Sequence, residues 1–212
     1  MNPWIQTHTG VAFDLIEPTV EMVNIGDIAH ALSHLCRYTG HSAGFYSVAE
    51  HSIEVAKLAL EMRDPDSAQV DLASVATDMF GAQFGAVARR ALRQMALPLA
   101  RWGLLHDAAE AYVGDVSAPL KSQLPAYNRI EKRVALTVFS RFGLELDRVP
   151  EAIKHMDLVM LMSEAKAMLG PAPMKWQVDA EPLRKWKPRY LTPAQAKAEF
   201  LSMFHELFGG AA

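Results

Sequence analysis

Apolar residues recur along this chain at intervals of three and four, in segments cut by proline and glycine, and that pattern confines most of it to helices. From Asn24 onward Ile25, Ile28, Ala29, Leu32, Leu35 and Cys36 keep the spacing; Asn24 or Asp27 can start the helix, and Gly40, after Arg37-Tyr38-Thr39, can stop it. Ser47-Val48-Ala49-Glu50 has the form of a capping box, which sets a helix with His51, Val55, Leu58 and Ala59 on one inward face. Arg63-Asp64-Pro65-Asp66-Ser67 reads as a turn, and residues 68 to 97 as one or two helices interrupted at Gly81 and Gly85. Pro98 restarts a helix that carries His106 and Asp107 and ends at Gly114. Pro125 begins a helix reaching Gly143, Pro150 opens one over Glu151 to Leu169, and a last runs from Pro193 to Phe208. Residues 1 to 20 differ: the alternation in Val11-Ala12-Phe13-Asp14-Leu15 predicts a short extended arm or hairpin. The expected fold is an all-α helical bundle, a single domain over residues 1 to 212 with a short extended N-terminal arm.

Composition narrows the partners. With 212 residues, 50% of them hydrophobic, the chain can bury a substantial core. A net charge of −3 with mixed signs gives no electrostatic footprint for a nucleic-acid polymer or an anionic membrane. Cys36 is the only cysteine, so an intrachain disulfide and a cysteine-based zinc cluster are excluded and any metal must use histidine and carboxylate. Met1 to Pro18 lacks a basic start followed by an apolar core, and no run of eighteen apolar residues occurs, so a cytoplasmic location is expected.

The run from Trp102 to Asp115 concentrates the chemistry. Adjacent His106 and Asp107 sit roughly 100° apart on a helix, so both can reach one ion, and Glu110 follows on the same face. A surface histidine beside a surface aspartate is the bland alternative. His51 adds a second imidazole on an inward face, where a satisfied core histidine is the alternative. Asp157 lies amid the apolar stripe of Ile153, Met156, Val159 and Met160, with Leu161 and Glu164 on the same side; a buried carboxylate needs a cation, either a metal or an unseen arginine. His30 and His34, four apart without a helix acid at ligand spacing, read as hydrogen-bonded helix residues. Residues 170 to 193 could cover a site or a partner; the favoured reading is a solvated connection whose tryptophans pack on the body.

His51, then His106-Asp107, then Asp157, each on its own expected helix, resemble the H…HD…D signature of the HD-domain metal-dependent phosphohydrolases. The runs Arg37-Tyr38…Tyr46-Ser47-Val48-Ala49-Glu50-His51-Ser52, His106-Asp107-Ala108-Ala109-Glu110, Gly114-Asp115 and Pro119-Leu120-Lys121 are similar to the branch that holds bacterial 5′-deoxynucleotidases and phage dATP triphosphohydrolases. The resemblance implies that Arg37 grips a substrate phosphate, Tyr38 takes the place of an aromatic residue crowding the sugar, Glu110 and Asp115 serve catalysis, and Lys121 matches a phosphate-contacting lysine. A homodimer is usual for such proteins. An insertion over about residues 63 to 97 and the loop and helix over about 170 to 208 depart from compact members.

Two imidazoles and two carboxylates leave two positions open on a six-coordinate ion, which suits Mn, Fe, Co or Ni, with Zn possible if its shell expands. The expected activity is hydrolysis of deoxynucleoside 5′-monophosphates; a dNTP triphosphohydrolase and a non-catalytic nucleotide-binding sensor are the alternatives. His41 is a further candidate near the substrate.

Overall fold

The computed structural model describes residues 3–61, 85–144 and 148–209, with the side chains of 85–93 outside the description. The strands β1 (Trp4–Gln6) and β2 (Ala12–Asp14) pair antiparallel, Ile5 opposite Phe13, and form the expected arm. The arm is fastened to the body. Thr9 donates through its backbone N and its Oγ1 to the two carboxylate oxygens of buried Asp27, at 2.7 and 2.8 Å, and the buried Phe13 ring stacks on Tyr112 at 3.8 Å.

Helices follow: α1 (Ile25–His34), α2 (Val48–Glu61), α3 (Gly85–Leu105), the single turns α4 (Glu110–Val113) and α5 (Ala118–Lys121), then α6 (Pro125–Arg141), α7 (Glu151–Met168) and α8 (Pro193–Phe208). The chain is largely all-α, and residues from α1 to α8 share one hydrophobic cluster. The expected helices between residues 62 and 84 lie outside the described residues. No helix among the described residues is long and apolar enough to cross a membrane.

The ends of several helices differ from the sequence expectation, each for a local reason. Asn24 caps α1 by accepting from the Gly26 N–H at 2.7 Å, but α1 stops at His34 rather than near Gly40. Leu35 and Cys36 leave it extended, because Cys36 bridges Ser47 and the backbones of Arg37 and Tyr46, and of Val48 and Leu35, pair at 2.9 and 3.0 Å. His34 Nδ1 donates to the His30 carbonyl at 2.7 Å, which agrees with the hydrogen-bonded reading of that pair. Pro98 does not restart a helix; α3 runs through it. An interior proline forfeits one backbone hydrogen bond, and burial of Ala96, Leu99 and Ala100 offsets that loss.

Helix α3 approaches α2 closely at Gly103. A Cβ there would stand 3.0 Å from the backbone Cα and N of Ala56, so only glycine permits this spacing. The contact matters for the site, since α2 carries His51 and α3 ends one residue before His106.

Candidate functional site

His106 and Asp107 do not continue a helix to Glu110, as the sequence suggests. The His106 Nδ1 donates to the Gly103 carbonyl at 2.7 Å, an acceptor that an unbroken helix gives to the N–H of residue 107. The chain turns instead through three-residue bonds, Ala108 N to Leu105 O at 3.0 Å and Glu110 N to Asp107 O at 2.9 Å, before α4 and the Gly114 stop at φ 82°. This broken turn carries His106, Asp107 and Glu110 to one centre with His51 of α2 and Asp157 of α7.

His51, His106 and Asp157 each offer one ligand atom, and these atoms all lie within 4.8 Å of one another, a group that can hold a metal ion. Asp157 Oδ1 is 3.0 Å from His51 Nε2 and 3.9 Å from His106 Nε2. Asp107 stands beside the group, its Oδ2 3.2 Å from His106 Nε2 and 3.8 Å from His51 Nε2. The side chain of Asp157 keeps 35% of its surface open, unlike its buried neighbours Met156 and Met160, so it faces a cavity rather than the core.

The donor chemistry tests the fit of a metal. Both Nδ1 atoms are committed as donors, His51 to the Glu164 carboxylate at 2.7 Å and His106 to a carbonyl. Both Nε2 atoms are buried and make no hydrogen bond, yet they face carboxylate oxygens. Neutral imidazoles would present lone pairs to anions there, which is repulsive unless a cation lies between them. Without a metal that cation is a proton: burial and Arg37 oppose a charge on His51, but Glu164 and Asp157 outweigh them and raise its pKa to about 9. Burial likewise opposes ionisation of Asp107 and Asp157, and the imidazoles beside them still hold both carboxyls below their usual range. A divalent ion satisfies the same set with the imidazoles neutral, so the residues fit a metal.

Glu164 is the residue that sequence reasoning passed over. It lies two turns beyond Asp157 on the same side of α7, and that spacing was its only signal. It is fully buried and accepts from His51 Nδ1 and Tyr46 Oη through Oε1, at 2.7 and 3.0 Å, and from Arg37 Nε and Tyr38 Oη through Oε2, at 3.1 and 3.0 Å. Burial alone would raise its pKa, but Arg37 and His51 lower it, so it stays ionised. Arg37 also reaches Asp107, Nη1 to Oδ2 at 3.7 Å. Tyr38 and the following Thr39 both have positive φ, 57° and 53°, in the left-handed region that side chains disfavour.

The Ser47 cap forms, with Glu50 N donating to Ser47 Oγ at 3.1 Å, but the reciprocal half of the capping box does not. The buried Glu50 carboxylate accepts from the backbone of Arg189 at 3.0 Å and Leu191 at 2.8 Å. Long-range partners took an acid that local spacing assigned to a helix cap.

A cavity of about 670 Å³ opens over the centre. Arg37, Tyr38, Asp107, Glu110, Asp115 and Lys121 line its charged part, together with Asp157. Glu110 is buried with Oε2 unpartnered; burial, then Asp107 and Asp115, raises its pKa well above the usual range. Asp115 is raised as well, mainly by burial. Lys121 Nζ contacts Glu131 Oε1 at 2.6 Å and lies 3.9 Å from Glu110 Oε1. His41 is exposed after the short 3-10 turn Tyr38–Gly40 and is not among the cavity's lining residues. The loop over 170 to 193 divides. Trp186 packs on the body as expected, edge-on to Tyr46 with Nε1 donating to Glu54 at 3.3 Å, whereas Trp176 lines the cavity.

No protein-family model matches the chain. It is 30% identical over 173 residues to the uncharacterized protein RCAP_rcc00048 of Rhodobacter capsulatus, an alignment covering 79% of this chain and 74% of the relative. It is also 29% identical over 163 residues to the uncharacterized protein YfdR of Escherichia coli K12, covering 77% and 71%.

Proposed function

We propose that this chain, which belongs to the same family as the Rhodobacter capsulatus protein RCAP_rcc00048, is a metal-dependent nucleotide phosphohydrolase of the HD-domain type that acts on deoxynucleoside 5′-monophosphates. One observation carries the reading. Two tautomer-fixed, unpartnered imidazole Nε2 atoms face Asp107 and Asp157 at the floor of a cavity that also holds Arg37 and Lys121.

In this reading His51, His106, Asp107 and Asp157 hold Mn, Co, Fe or Ni, with Zn admissible. A bound ion of this kind lowers the pKa of water and withdraws charge from phosphorus. Arg37 offers its planar fork to the phosphate and Lys121 a point charge. Tyr38 lies against the sugar. In this reading Glu110, buried with Oε2 unpartnered on the cavity lining, gives a proton to the leaving 5′ oxygen, and Asp115 orients the attacking water. The soluble deoxynucleotide substrate, a cytoplasmic location and a homodimer belong to the same proposal.

A second reading, a dNTP triphosphohydrolase, is favoured by Lys121 and Lys175, which add two cations to the cavity beyond Arg37. Product analysis of Mn- or Co-loaded protein with the four dNMPs and four dNTPs separates the two. Inorganic phosphate from monophosphates is the expected result. Triphosphate and free nucleoside from dNTPs would transfer the assignment to the second reading, and tight binding of metal and nucleotide without turnover would leave a nucleotide sensor. Arg37→Ala should weaken nucleotides more than free nucleosides; equal weakening removes its phosphate role.

A further inference from the structure

The segment 170–182 joins α7 to Leu183 and is fastened at its two ends. The Met168 carbonyl accepts from Ala43 N at 2.9 Å, and Leu183 N donates to Ser163 Oγ at 2.8 Å. Between these ties, no hydrogen bond or ion pair links residues 170 to 182 to other described residues. The strap nevertheless supplies a wall of the cavity, through Pro173, Met174, Trp176, Gln177 and Val178, with Lys175 the one charged residue among them. Met174 is 78% exposed, and the indole of Trp176 is half-buried.

The cavity therefore has two chemistries. Arg37, Lys121 and the carboxylates suit a sugar phosphate and a metal, and their charges give the strap's apolar groups nothing to recognise. An indole, a thioether and a proline ring, with Leu161 of α7 also on the lining, suit a flat aromatic group. Gln177 adds an amide with both donors and an acceptor, the equipment for reading a base edge. Of the parts of a nucleotide, only the base is flat, apolar on its faces and polar on its rim.

We propose that Trp176 is the base-binding residue of this protein, stacking the nucleobase against the strap while Arg37 holds the phosphate. The inference rests on the nucleotide reading above and adds which part of the chain sets base preference. Changes at Met174 and Gln177 alter preference without touching the charged centre.

The test uses the full-length metal-loaded protein and the 5′-monophosphate of 2-aminopurine deoxyriboside, whose emission falls when its base stacks. Stopped-flow mixing reads binding before turnover, and displacement by 2-deoxyribose 5-phosphate reports the phosphate site. In the wild type the probe should be quenched on binding. Trp176→Ala should bind it roughly tenfold more weakly, Trp176→Phe should fall between, and the sugar phosphate should bind all three alike. Unchanged probe affinity in Trp176→Ala, or an equal loss of probe and sugar phosphate, overturns the proposal. If the probe binds in an Arg37-dependent way but ignores Trp176, the base site alone is wrong; if it binds to neither wild type nor variant, the nucleotide reading falls with it.

Discussion

Glu164 Oε1 accepts from His51 Nδ1 at 2.7 Å, and neither side chain is exposed. An ionised carboxylate so placed fixes the imidazole tautomer and directs Nε2 toward Asp157 and Asp107. Its other oxygen accepts from Arg37 Nε, so one buried acid orients both His51 and Arg37.

Glu164→Gln should therefore lower metal affinity by roughly ten- to a hundredfold while leaving the helical content intact. Metal titration beside far-UV circular dichroism checks this. Unaltered affinity would show that His51 is oriented without the charge.

Asp107→Ala and Glu110→Gln should separate binding from chemistry. The first removes a carboxylate facing both imidazoles and should lose metal and activity together. The second should retain metal and lose about 10²- to 10⁴-fold in rate. Elemental analysis of the purified variants with a phosphate-release assay reads both; metal and full activity kept in Asp107→Ala would sink the assignment.

Gly103→Ala drives a Cβ to 3.0 Å from the Ala56 backbone. Overpacking of this kind costs about 1–3 kcal/mol, and each kcal/mol lowers Tm by roughly 2–4 °C in a chain of this size. A thermal melt at the wild-type temperature would mean that α2 and α3 separate freely.

Glu50→Ala strips two backbone N–H groups, of Arg189 and Leu191, of their shared acceptor. Each group left unpaired costs about 1–3 kcal/mol, so those amides should exchange with solvent faster while α8, capped by Thr192 and Gln195, keeps its protection. Amide exchange followed by NMR measures the difference. Equal protection in both proteins would place the restraint elsewhere.

What the sequence determined by itself was local. Spacing of three and four, Asn24 as a cap, Pro125 and Pro193 at helix starts and the alternation before Asp14 act between near neighbours, and the arm, α1, α6 and α8 begin where they imply. His51, His106 and Asp157 were legible as a set because their order resembles a known ligand signature; singly, each left a satisfied or surface residue as the alternative.

The tertiary structure decided what depends on distant groups. Glu50 left its helix cap because two amides 139 and 141 residues away needed an acceptor. Leu35 and Cys36 left α1 because Ser47 lay opposite, and Pro98 stayed inside α3 because neighbouring side chains are buried. Glu164 became the hub, and Trp176 a cavity wall, only when α7 and the strap met residues far off in sequence. Periodicity reports which face is buried, whereas the partner of a buried charge is set by long-range packing that no local spacing encodes.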